Sequence, residues 1–128
     1  MQVGQYLCAL IIFVATLLTS YRNGNEVTSA ANSVKHGTVV RHQSYTEIPD
    51  VQYGDAGSTY NLLDAYLPDD RNKSTKVIVY IHGGSWVQGD KTEFPKALIE
   101  ELVGKRKYAL ASLNYRLVKD GKNIFPAQ

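Results

Sequence analysis

Lys76-Val77-Ile78-Val79-Tyr80-Ile81-His82-Gly83-Gly84-Ser85-Trp86 is the stretch around which the rest of the chain can be organised. Its first part, Val77 to Ile81, is a run of β-branched and aromatic residues without polar alternation. Such a run suits a strand buried on both faces, as in a parallel sheet, and it is too short for a typical helix. The run stops at His82-Gly83-Gly84. Paired glycines remove the Cβ atoms where the chain turns and let backbone approach a ligand closely. A backbone N–H aimed at developing negative charge is what acyl transfer needs for its oxyanion. Gly83 and Gly84 are therefore the candidate donors.

Working outward, Leu63-Asp64-Ala65-Tyr66-Leu67-Pro68 lies upstream and Gly89-Asp90-Lys91 just after. Asn114-Tyr115-Arg116-Leu117 and Phe125-Pro126-Ala127 follow. In this order and spacing the segments resemble the α/β-hydrolase family, in its esterase/lipase branch with the His-Gly-Gly motif. They look like the beginning of a feruloyl- or acetylxylan-esterase-like domain, or of a kynurenine-formamidase-like one, over roughly Tyr45 to Gln128. The resemblance implies an α/β fold with a mostly parallel sheet, antiparallel first strands and helices on both faces. It also implies that residues 32–128 are the N-terminal portion of such a domain, incomplete in this chain. In that family the loop after the third strand helps to form the oxyanion hole.

Composition narrows the function classes. Among 128 residues, 14 are Lys or Arg and 12 are Asp or Glu, so nothing in the charge asks for nucleic acid. Lys105-Arg106-Lys107 is the densest positive run, and at a helix end it is expected to complement the helix dipole. Cys8 is the only cysteine and lies in the apolar N-terminal segment, which leaves no disulfide or thiolate metal site. His36, His42 and His82 lack ligand spacing, so no metal is expected, and the resemblance implies a mechanism without a cofactor.

Tyr6 to Leu18 is nearly all apolar, within the length of a secretory h-region and short for a membrane span. No Lys or Arg precedes it. Residues 1–31 read as a signal peptide and the start of a linker, with an uncleaved anchor as the alternative, and the chain is expected to be secreted or periplasmic. No stable membrane span is expected after signal removal. Val39 to Ile48 supplies a first strand, broken by Pro49-Asp50. Asp55-Ala56-Gly57-Ser58 is a turn, and Tyr60 to Leu67 a second strand, the two forming an antiparallel hairpin. Asp64 falls in an otherwise apolar row and reads as a satisfied structural carboxylate. Asn72-Lys73-Ser74 matches an N-glycosylation acceptor, of consequence only in a eukaryotic secretory pathway. A helix is expected from about Pro95, with Ala97, Leu98, Glu101 and Leu102 at helical spacing. Tyr108 to Leu113 is then a strand parallel to the first, and Phe125-Pro126-Ala127 opens a further helix.

Of the parts of a serine hydrolase, only the oxyanion donors Gly83 and Gly84 can be found. The resemblance implies that His82 is not the base, because the family's base follows the nucleophile and acid in chain order. His82 reads instead as a buried residue bracing the loop. Ser85 lacks the second glycine of Gly-x-Ser-x-Gly, as does every other serine of the sequence. Nucleophile, acid and base are thus absent, and this chain alone is expected to be inactive. Trp86 is expected to pack under the loop or to line an acyl pocket. Asp90 and Lys91 either tie the loop to its neighbours or are solvated. Asn114, Tyr115 and Arg116 end a parallel strand where α/β sheets bind ligands, with a structural hydrogen-bonding role as the plainer reading. The implied function is a carboxylic ester hydrolase acting on a small-molecule or carbohydrate-linked ester. An amidase or formamidase of the same fold, and a non-catalytic binding module, stand as alternatives.

Overall fold

A computed structural model of the chain describes residues 36–54 and 58–118. The apolar segment 6–18, residues 55–57 of the expected turn and the helix expected to open at 125–127 lie outside the described residues. Among the described residues five strands form one mixed sheet: β1 (Val40–Arg41), β2 (Tyr45–Gln52), β3 (Leu62–Pro68), β4 (Val77–Ile81) and β5 (Ala109–Leu113). Their spatial order is β1-β2-β3-β5-β4. The expected hairpin is present, with β2 and β3 antiparallel. The strand expected over 108–113 runs parallel to β4, with Val79 opposite Ala111.

The sheet departs from the expected mostly parallel one. Only β4 and β5 pair in parallel, and the other three ladders are antiparallel. The reason is topological: each parallel pair needs a crossover of a dozen or more residues. Among the described residues only the segment between β4 and β5 is such a crossover. Likewise helices on both faces are not seen there. One helix, α1 (Lys96–Ile99), continues as π-wound backbone over Glu100–Lys105.

The alternation of side chains assigns two faces. Leu63, Ala65 and Leu67 of β3 pack with Ile48, Val51, Ala109, Ala111 and Leu113 on one face. On the other, Tyr45, Tyr66 and Leu110 meet Ile99 and Val103 of the helix, with Ile78, Tyr80 and Phe94 against them. The helix therefore buries Ile99 and Val103, whereas Leu98, expected on its apolar face, stays exposed. β3 is central and buried along most of its length. Each fully buried leucine there is worth about 1.5–3 kcal/mol of transfer free energy.

Two expectations for strands are corrected. Pro49-Asp50 does not end the first strand but forms a bulge within β2, where the register shifts between Ile48 and Val51. A bulge tolerates a proline, which has no N–H for a ladder. Asp50 there takes φ 56°, and its N–H donates to Asp64 Oδ1 at 3.0 Å instead of to a strand. The second correction concerns β4, expected to be buried on both faces. It lies at the sheet edge, where Ile78 and Tyr80 face the helix while Val77, Val79 and Ile81 remain exposed.

Candidate functional site

The chain leaves β4 at Ile81 and turns sharply. Gly84, Ser85 and Trp86 all have positive φ, at 108°, 52° and 61°. For residues with a Cβ this region costs about 1–2 kcal/mol each, so the loop must be held by its surroundings. Several contacts hold it. Gly84 C=O accepts from Val87 N–H at 3.0 Å and Gln88 N–H at 3.2 Å, and Trp86 C=O accepts from Val118 N–H at 2.7 Å. The Tyr115 hydroxyl donates toward His82 C=O at 3.0 Å and Gly83 C=O at 3.2 Å. These bonds engage the carbonyls of the loop. The N–H groups of Gly83 and Gly84 have no acceptor among the described residues.

His82 is buried, as expected of a loop brace. Its ring stacks on Tyr115 with centroids 4.4 Å apart, and Nδ1 lies 2.7 Å from Gly83 C=O. A carbonyl can only accept, so Nδ1 carries a proton and donates. Nε2 is buried and meets no donor. Gly89 permits this packing: a Cβ there would sit 2.1 Å from His82 Nδ1, and its φ is 114°. The glycine following the loop is therefore a requirement of the imidazole beside it.

Beneath the loop lies a buried ionic cluster. Lys91 is 8% exposed, and its Nζ is 2.7 Å from Asp64 Oδ1 and 3.0 Å from Asp50 Oδ1. Burial pulls the Lys91 ammonium toward neutrality, but hydrogen bonds and charge from Asp64 and Asp50 outweigh it and raise its pKa. Lys91 N–H donates to Asn114 Oδ1 at 2.6 Å, and Ser112 Oγ donates to Lys91 C=O at 2.5 Å. Asn114 Nδ2 in turn donates to Asp90 Oδ2 at 3.0 Å. Asp90 also caps the 3₁₀ turn Lys91–Glu93 through Thr92 N–H, and its pKa is lowered: burial works against this, while bonds from Thr92 and Asn114 prevail. Thus Asp90 and Lys91 tie the loop's far flank to β2, β3 and β5. Asp64 is the satisfied carboxylate expected of it.

Ile81, His82, Gly83, Ser85, Trp86 and Tyr115 line an open depression at the end of β4. Trp86 does not pack under the loop; it is 60% exposed and forms part of this wall. Ser85 is exposed on the same loop, and His82 does not bond to it, since Nδ1 is taken by Gly83 C=O. Arg116 is exposed. Lys105 and Arg106, expected to complement the helix dipole, both pair with Glu101, at 3.2 and 3.0 Å. Among the described residues no cluster of three or more metal-ligating side chains occurs, and no helix is long and apolar enough to cross a membrane. The structural hydrogen-bonding role expected of Asn114 and Tyr115 is the one they take, whereas the sequence did not single out Asp50 for the work it does. Tyr115 was legible only as part of Asn114-Tyr115-Arg116, and Asp50 only as a strand breaker.

The described residues thus form a small mixed sheet with one helix and a glycine turn at the end of β4. Residues 63–128 match the profile of BD-FAE, a domain family of the α/β-hydrolase esterase type, and the chain belongs to that family. No curated protein sequence and no solved structure matches the chain.

Proposed function

We propose that this chain supplies the oxyanion-stabilising end of a carboxylic ester hydrolase that works through a serine acyl-enzyme. One observation carries the reading: the N–H groups of Gly83 and Gly84 have no acceptor among the described residues, and Gly83 lines an open depression. Their carbonyls are engaged by Tyr115, Val87 and Gln88, which leaves the N–H side of the loop for substrate. A tetrahedral intermediate would place its oxyanion against them, where preorganised donors act without reorganisation. Trp86 and Tyr115 flank the position and offer apolar surface to an aryl or sugar-linked ester.

Attack, proton transfer and orientation of the base fall to a serine, a histidine and an acid outside these residues. No serine here stands in Gly-x-Ser-x-Gly, and His82 makes no hydrogen bond to Ser85. In the same proposal β4 receives the nucleophile-bearing strand at its free edge, completing a mostly parallel α/β-hydrolase sheet with helices on both faces. The protein is exported, with residues 1–31 as leader and start of linker.

The full-length gene product tests the reading. It is expected to hydrolyse aryl acetates and to be labelled by an alkyl fluorophosphonate. Turnover of N-formyl aryl amides alone would move the reading to an amidase. Absence of both turnover and labelling would leave a binding module. The donors are tested by replacing the Gly84 peptide N–H with an ester oxygen, which should lower kcat by about 10²–10³ with little change in KM. Gly84→Val cannot serve, because a Cβ there would lie 2.0 Å from Gln88 C=O and displace the loop.

A further inference from the structure

Asn72-Lys73-Ser74 is the one Asn-x-Ser/Thr tripeptide in the sequence, and the function proposed above makes no use of it. It occupies the connection between β3 and β4, where all three residues are exposed. The turn is built from Asn72 itself. Ser74 N–H donates to Asn72 Oδ1 at 2.8 Å, Thr75 N–H donates to Asn72 C=O at 3.0 Å, and Asn72 N–H donates to Thr75 Oγ1 at 2.8 Å. These bonds occupy the side-chain oxygen and both backbone groups of Asn72. Its Nδ2 has no acceptor among the described residues, and neither does the Ser74 hydroxyl have a partner there. Those are the two groups through which the tripeptide acts as a glycan acceptor.

We infer that Asn72 is an N-glycosylation site, the acceptor for a glycan donated by a lipid-pyrophosphate-linked oligosaccharide in a eukaryotic secretory compartment. In the transfer, Asn72 Nδ2 forms a bond to the anomeric carbon of the first N-acetylglucosamine. The bond from that carbon to the pyrophosphate oxygen breaks, the lipid pyrophosphate leaves with the electron pair, and the amide proton passes to a base of the transferase. No oxidant or reductant enters. The folded chain accommodates the product, because the turn projects from the end of the sheet where β4 begins, whereas the Gly83-Gly84 loop lies where β4 ends. Five strand residues at about 3.3 Å each separate the two by about 16 Å. The glycan therefore leaves the candidate site open. Beside Asn72 a shallow polar depression lined by Ser74, Lys76, Arg106 and Tyr108 offers hydrogen-bonding surface to the innermost sugar.

The inference rests on entry into the secretory pathway and not on ester chemistry, and the experiment separates the two. The full chain is expressed in a eukaryotic cell twice, once with its own N-terminus and once preceded by a cleavable signal for the endoplasmic reticulum. Both products should gain the mass of one N-linked glycan, lost again on treatment with peptide-N-glycosidase. Asn72→Asp keeps a side-chain oxygen to hold the turn and deletes the accepting nitrogen. Ser74→Ala keeps the N–H that closes the turn and deletes the hydroxyl. Both variants should fold like the parent by circular dichroism and lose the modification, while Ser74→Thr should retain it. Modification only behind the added signal would support the acceptor and overturn the export reading. A translocated chain with its signal removed and no added mass would overturn the inference, as would modification persisting in Asn72→Asp.

Discussion

Lys91→Met is the substitution that most directly probes what holds the candidate site in place. Methionine keeps most of the length and apolar stem of lysine but removes the ammonium that sits 2.7 Å from Asp64 and 3.0 Å from Asp50. The two carboxylates contribute unequally. Asp50 has 52% of its side chain exposed, so its pairing is screened and worth about 0–1 kcal/mol. Asp64 is 3% exposed and would be left with Asp50 N–H as its one donor among the described residues. Removing one partner of a buried pair costs about 3–5 kcal/mol, mainly through the charge left behind. Against a total of about 5–15 kcal/mol for a domain, that loss approaches unfolding. Urea denaturation followed by circular dichroism reads it. The double variant Lys91→Met/Asp64→Asn removes the stranded charge yet keeps an acceptor for Asp50 N–H, and it should recover much of the loss. Recovery should appear as a coupling of about 0.5–3 kcal/mol. A loss below about 1 kcal/mol in the single variant, or a double variant no more stable than the single one, would refute the reasoning.

Three further outcomes are expected. Gly83→Ala meets nothing within 4 Å and should change stability by less than about 1 kcal/mol, whereas Gly89→Ala drives a Cβ into His82 and should cost more than about 3 kcal/mol by thermal unfolding. Stability should fall in alkali: burial pushes the Tyr53 phenol up to about 12, and the Lys91 pKa is also raised. Groups raised in the folded state stabilise it fully below their unfolded pKa, about 10 for both types, and that contribution is lost as pH rises through the folded value. Urea midpoints should therefore drop from about pH 10 upward, and Tyr53→Phe should flatten part of the slope. Finally, Val79→Lys places a charge on the exposed face of the edge strand, where Val79 is 40% exposed, and should raise the monomer fraction in size-exclusion chromatography. Unchanged association would show that the β4 edge is not the point of contact.

The local elements of this chain were legible in its sequence, because each is dictated by residues close to one another. The apolar runs at 77–81 and 109–113, the hairpin, the helix beginning after Pro95 and the glycine turn all follow from period, branching and the lack of a Cβ. So did the need of Asp64 for a partner, since a carboxylate in an apolar row must find one. The identity of that partner was not legible. Lys91 stands 27 positions away in sequence, and it meets Asp64 only because β5 inserts between β3 and β4 and brings the 3₁₀ turn over the sheet. The same long-range order decides that β4 lies at an edge and exposes one face. It also makes Ile99 and Val103, not Leu98, the buried helix residues, and leaves Tyr115 to grip the carbonyls of the Gly83-Gly84 loop. Periodicity states which side chains share a face, but which element covers that face is set by strand order, and strand order is a property of contacts among distant segments.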